Sequence, residues 1–324
     1  MNDQKIVLKK VRDLGGIFGA TFGFIKRNFK TLFGSLLFFA GPFLLIAAVI
    51  SANMFGSSLG FNRLFKGSMS SFYGEFIISY LIILLVTFIG LTVYNVILNK
   101  NLIENEKLND GEKLTIQQTT INFFPDFWRV FGNTLLLILV GIVFIAVIAL
   151  IFGGLFALAG GDGSNSAGVI VLLVIFFLCF FVLAIIFGPI ISFIPMAAIF
   201  VCQRDGIAIF AAIKKVFYYM KGNFWNTWVV MVVGFLTYMV MGAIVQIPMF
   251  IVAIITAFSR IKVNNGSGMT EEGTSIVLVA VISICTLLSH GVRVVLNLMV
   301  LYQYNHLEEK KEGLSIIDKI NQIQ

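Results

Sequence analysis

Charge is what this chain has least of. Asp, Glu, Lys and Arg make up 12% of its 324 residues, where soluble domains carry about a quarter. Hydrophobic residues make up 59% and the mean hydropathy is +0.98, more apolar surface than a soluble fold of this length could bury. Histidine occurs only as His290 and His306, and cysteine only as Cys179, Cys202 and Cys285, each in or beside an apolar run. No disulfide framework and no metal-ligand spacing follow, so the cysteines read as small packing residues. Paired carboxylates, a Ser-His-Asp set, a Gly-x-Ser-x-Gly turn and a phosphate loop are missing too. Asp110 and Asp162 lie in short turns without calcium-loop spacing. The expectation is a non-enzyme, with no catalytic residue, cofactor or metal. The first sixteen residues lack the apolar core and small-residue cleavage site of a signal peptide, so the first span is expected to insert itself.

What is plentiful is phenylalanine, 34 residues, many near the ends of apolar runs. Six runs approach or exceed the roughly 20 residues that cross a bilayer: about 32–53, 76–98, 134–158, 167–201, 227–258 and 275–304. Gly41-Pro42, Gly188-Pro189, Pro195 and Pro248 mark expected kinks, whose freed carbonyls need neighbours. The fourth run would reach roughly 52 Å as a straight helix, against a hydrocarbon core of about 30 Å, so it has reason to bend or break.

Between the runs, one unit recurs. In Asp205–Trp228, Ile209, Phe210, Ile213, Val216, Phe217 and Met220 fall at three- and four-residue spacing, with Lys214, Tyr218 and Lys221 opposite. That spacing predicts a helix lying in the membrane surface, ended by Asn223, which can cap the next span. Similar units occupy 17–30 and 114–129. Lys26-Arg27-Asn28-Phe29, Phe124-Pro125-Asp126-Phe127 and Lys221-Gly222-Asn223-Phe224 align without gaps. Asp110-Gly111, Asp205-Gly206 and Glu312-Gly313 recur in step, as do Gly90, Gly188 and Gly291. Good local chemistry at a membrane boundary would also favour Asx-Phe, but the shared register favours duplication.

The expected fold is therefore an all-α polytopic membrane protein, a single transmembrane domain over 1–324. Its six transmembrane helices form three parallel repeats (17–98, 114–201, 207–304), each led by a cytoplasmic interfacial amphipathic helix. A last amphipathic helix is expected at 314–323, with Ile316, Ile317, Ile320 and Ile323 on one face.

With both termini on the surface-helix side, eighteen Lys and Arg fall there and four (Arg63, Lys66, Arg260, Lys262) on the other. The positive-inside bias makes the richer side cytoplasmic. Lys26, Arg27, Lys30, Arg129, Lys214, Lys215 and Lys221 become candidate headgroup contacts, and the net charge of +7 an attraction for anionic lipid. Nucleic acid is not an expected partner, because no basic module folds outside the membrane.

Arg293 is the one charge well inside a span, about eleven residues from Tyr304 and so roughly 16 Å deep. Ser289, Arg293 and Asn297 share a helix face, His290 sits beside it, and Gln246 near Pro248 adds another intramembrane polar group. Arg293 has three open roles: binding carbonyls freed at Pro42, Pro189, Pro195 or Pro248, contacting a substrate or lipid phosphate, or snorkelling. Gln246 reads as an interhelical hydrogen bond.

The lead RDLGGIFGATFGFIKRNFKTLFGSLL and the tail YQYNHLEEKKEGLSIIDKI resemble those of bacterial six-span proteins. Some of these are described as similar to the membrane domain of glycerophosphodiester phosphodiesterases. The resemblance implies a bacterial cytoplasmic (inner) membrane protein. It carries over no catalytic residue, since the barrel holding those enzymes' acids and histidines has no counterpart here. The leading expectation is a scaffold or subunit bound to lipid or to a membrane partner. The alternative is a transporter or lipid translocator built around Arg293, and a membrane-embedded lipid enzyme ranks third.

Overall fold

A computed structural model describes residues 5–56, 69–160, 166–263 and 271–321 of the chain. Much of the loops expected at 54–74, 160–165 and 259–274 lies outside these residues, including Arg63, Lys66 and Asp162. Among the described residues the chain is helical, without strands: α1 Leu14–Phe39, α2 Gly41–Gly56, α3 Met69–Lys107, α4 Ile116–Thr119, α5 Phe123–Gly160, α6 Ser166–Asp205, α7 Ile209–Met220, α8 Phe224–Val263 and α9 Glu271–Asn321. Five of these helices are long and apolar enough to cross a membrane. The number is six if α1 and α2, bent by 57° at their junction, count as one broken span. That bend falls at Ala40, beside the expected Gly41-Pro42 kink.

Three helices, α5, α6 and α8, leave their middles apolar and uncovered. Leu139, Phe144 and Leu150 of α5, Phe181 of α6 and Val240 and Ile254 of α8 are all exposed, a distribution suited to lipid rather than water. Burial concentrates toward the C-terminal ends of α3 and α6 and in the middle part of α9, as at Ile97, Phe200 and Leu301.

The contacts gather into two compact units. The first comprises 1–8, 12–127 and 233–299. Its α2 lies along α3 at Gly90, where an added Cβ would stand 2.9 Å from Leu44 Cδ2 and 3.1 Å from Phe43 Cβ. Of the three glycines in matching register, Gly90 alone has this closeness; Gly188 faces open space and Gly291 makes ordinary contact with Phe33. Asn28 departs from helical geometry within α1 (φ −106°, ψ 19°), separating the expected surface helix from the first span. Its Nδ2 donates to Phe24 O at 3.3 Å and to Asn105 Oδ1 at 3.5 Å.

The second expected surface helix, 114–129, is instead one turn, α4. Thr115 N donates to Gln118 Oε1 at 2.9 Å there, and the chain then reverses at Asn122 with φ 55°. Asparagine tolerates that left-handed backbone better than most residues. The span helix consequently begins at Phe123, and Asp126 lies within its first turn rather than capping it.

The second unit comprises 9–11, 128–232 and 300–324. Gly206, at φ 73°, provides the turn from α6 into α7. On α7, Ile209, Ala212, Val216, Tyr219 and Met220 are buried, while Phe210, Phe217 and Tyr218 are exposed. The protein-facing stripe is thus rotated from the purely apolar one in the sequence, because Tyr219 finds a polar partner inside. The α6 helix runs unbroken through Pro189 and Pro195. The carbonyl that Pro189 leaves without a helical donor, Ile185 O, accepts the Trp228 indole N–H at 3.3 Å. The C-terminal segment expected as a separate helix at 314–323 instead continues α9 as far as Asn321.

Candidate functional site

Three polar regions are built onto this frame. The first was not legible in the sequence. Arg204, at the end of α6, meets Glu308 of α9 through a fork: Nη1 donates to Oε2 at 2.8 Å and Nη2 to Oε1 at 2.7 Å. Its Nε donates to Asp205 Oδ1 at 2.7 Å, and Nη1 also donates to Asn305 Oδ1 at 2.9 Å. The guanidinium stands 5.4 Å from the Phe200 ring centre and 5.5 Å from that of Tyr304, within cation–π range. Lys215 joins Asp205 at 2.7 Å and Glu308 at 3.2 Å, and Lys9 reaches Glu308 at 3.3 Å. Tyr219 donates to Glu312 Oε1 at 2.8 Å.

Lys9, Arg204 and Lys215 thereby oppose Asp205, Glu308 and Glu312, which makes the cluster neutral. The Glu308 side chain is only 1% exposed, so its charge depends on these partners. Burial works against the Lys215 ammonium, but its hydrogen bond to Asp205 and the Glu308 carboxylate outweigh that and hold its pKa above the ordinary lysine range. Burial, and then the bond to Glu312, raise the Tyr219 phenol above its ordinary value.

The second region is the set of expected headgroup contacts. Lys26, Lys30, Arg129, Lys214 and Lys221 are exposed. Large exposed aromatics stand beside them in sequence: Phe29, Trp128, Phe217, Tyr218 and Trp225. Arg27 and Lys215 behave differently. Arg27 turns inward and donates Nη2 to Glu112 O at 2.9 Å, and Lys215 belongs to the neutral cluster. The three aligned Asx residues each meet a polar group on a long helix. Asn28 meets Asn105 of α3, Asp126 Oδ2 meets Lys100 Nζ of α3 at 2.6 Å, and Asn223 Oδ1 accepts from Lys310 Nζ of α9 at 2.8 Å.

The third region surrounds Arg293 in the first unit. Gln246 Nε2 donates to Ser289 Oγ at 2.9 Å, the expected interhelical hydrogen bond, and Ser289 Oγ donates to Cys285 O at 2.8 Å. Arg293 lies within electrostatic range of the Tyr94 hydroxyl and of His290. Tyr94 is 2% exposed and Asn297 6%. The Tyr94 hydroxyl, Asn297 Oδ1 and Gln246 Oε1 are buried without a hydrogen-bond partner among the described residues. His306, the second histidine, lies buried on the part of α9 that belongs to the other unit. No group of three or more metal-ligating side chains occurs among the described residues. An apolar groove of about 360 Å³, lined by Leu45, Val49, Ile276, Val279, Ala280, Ser283 and Ile284, also lies in the first unit.

No protein-family model matches the chain, and no curated protein or solved structure matches it either.

Proposed function

We propose that this is a non-catalytic six-span protein of the bacterial cytoplasmic membrane, held against anionic lipid and serving as a scaffold or subunit for a membrane partner. Three parallel repeats would put both termini and the basic helix ends in the cytoplasm. One observation carries most of the weight: Lys26, Lys30, Arg129, Lys214 and Lys221 are exposed cations set among exposed aromatics. That pairing suits the headgroup layer, where amphipathic rings and basic side chains gather. Each such cation adds about 1 kcal/mol of attraction to an anionic leaflet. The inward-turned Arg27 and Lys215 serve the fold instead.

Native mass spectrometry of the full chain, extracted from vesicles of mixed neutral and anionic phospholipid, tests this reading. The chain should retain anionic lipid preferentially, and the K26Q/K30Q/K214Q/K221Q variant should lose that preference. Equal retention of both lipid classes by the unaltered chain would contradict the reading.

A further inference from the structure

Arg293 sits on α9 with Ser289 one turn before it and Asn297 one turn after. Among the described residues it makes no ion pair. The buried carboxylate of the same unit, Asp126, is already engaged by Lys100 at 2.6 Å. Nor does Arg293 donate to a carbonyl freed by proline among those residues; the one freed at Pro189 is taken by Trp228. Arg293 is half-buried, and a guanidinium without a compensating partner at that depth in a membrane is costly.

Arg293 itself, Tyr94 and Asn297 can all donate. The guanidinium presents five N–H donors and Tyr94 one O–H. The Asn297 amide can turn by 180° to offer its NH2. Tyr94 is 2% exposed, and its hydroxyl has no partner among the described residues. A buried phenol left that way costs about 1–3 kcal/mol unless something accepts from it. With the Asn297 amide so turned, these three side chains offer donors and a positive charge to an acceptor.

We propose that Arg293, Tyr94 and Asn297 form an intramembrane anion-binding site that takes one carboxylate or phosphate oxyanion. The oxygens accept from the guanidinium and the Tyr94 hydroxyl, and their charge neutralises Arg293. Such a ligand is either the acidic end of a lipid or a small dissolved anion, and the chemistry of recognition is common to both. This site is independent of the headgroup-contact reading, which rests on residues at the helix ends.

The test is a thermal-shift titration of the full chain in a non-ionic detergent, with laurate, phosphatidylglycerol and inorganic phosphate as separate probes. At least one should bind saturably and raise the unfolding temperature. Tyr94→Phe, which removes one oxygen and keeps the ring, should weaken that binding roughly tenfold. Arg293→Gln should abolish it. Laurate or phosphatidylglycerol without phosphate would place the anion on a lipid; phosphate alone would make it a free ion. Binding by none of the three probes, or binding untouched by Tyr94→Phe, would overturn the proposal even if Arg293→Gln proved unable to fold.

Discussion

Trp228 donates its indole N–H to Ile185 O at 3.3 Å, and Ile185 lies four residues before Pro189. A proline within a helix removes one donor and leaves that carbonyl orphaned. A side chain from α8 supplies the replacement, which explains how α6 passes Pro189 without a break. Trp228→Phe should therefore destabilise the protein by about 1 kcal/mol. In a Pro189→Ala background the carbonyl regains its helical donor, and the same change should cost less. A double-mutant cycle on thermal unfolding reads the difference; equal costs in both backgrounds would remove the explanation.

Glu308 is the next lever. Its carboxylate accepts both Nη groups of Arg204 at 2.7 and 2.8 Å, and its side chain is 1% exposed. Removing one member of such a pair strands the other charge, at a cost of about 3–5 kcal/mol. Glu308→Leu should lower the unfolding midpoint strongly. Replacing both, as in R204M/E308L, should recover much of the loss, because two desolvated charges disappear together.

Alkaline pH should weaken the same region. Lys215 and Tyr219 have folded pKa values raised above their ordinary ones. A raised folded value means that the folded state holds the proton more tightly than the unfolded one. The resulting stabilisation is complete below the unfolded values of about 10 and is lost as pH rises through the folded ones. Unfolding midpoints should accordingly fall above about pH 10. A K215M/Y219F variant should show a flatter profile over that window.

Gly90 tests the packing of α2 on α3. A β-branched side chain there would press on Leu44 and Phe43, whose nearest atoms stand 2.9 and 3.1 Å from the added Cβ. Gly90→Val should cost about 1–3 kcal/mol, whereas Gly141→Val, which meets nothing within 4 Å, should cost distinctly less.

The helical character and the positions of the long apolar helices were legible because hydrophobic run length is a signal carried by each segment alone. The break near Gly41-Pro42 and an interhelical hydrogen bond from Gln246 were legible for similar local reasons, though its partner, Ser289, was not. The shortening of the second surface helix was not. It depends on Asn122 taking a left-handed backbone, a choice its neighbours make for it. The segment 99–113, which reads as a charged connection, is helical as far as Lys107. Lys5, from the distant lead, donates to Glu106 O and Leu108 O there at 2.5 and 2.6 Å, a charge favoured at a helix C-terminus. The Arg204–Glu308 cluster was hidden for the same reason: its members are about a hundred residues apart, and each looks alone like a solvated charge.

The central claim is that the α7 helix lies on the cytoplasmic surface of the membrane, and cysteine labelling tests it most directly. In a C179A/C202A/C285A background, Lys214→Cys would be exposed to a membrane-impermeant maleimide in intact spheroplasts and in inverted membrane vesicles. The account predicts modification in the inverted vesicles and none in the spheroplasts. Modification from outside the intact spheroplasts would contradict it.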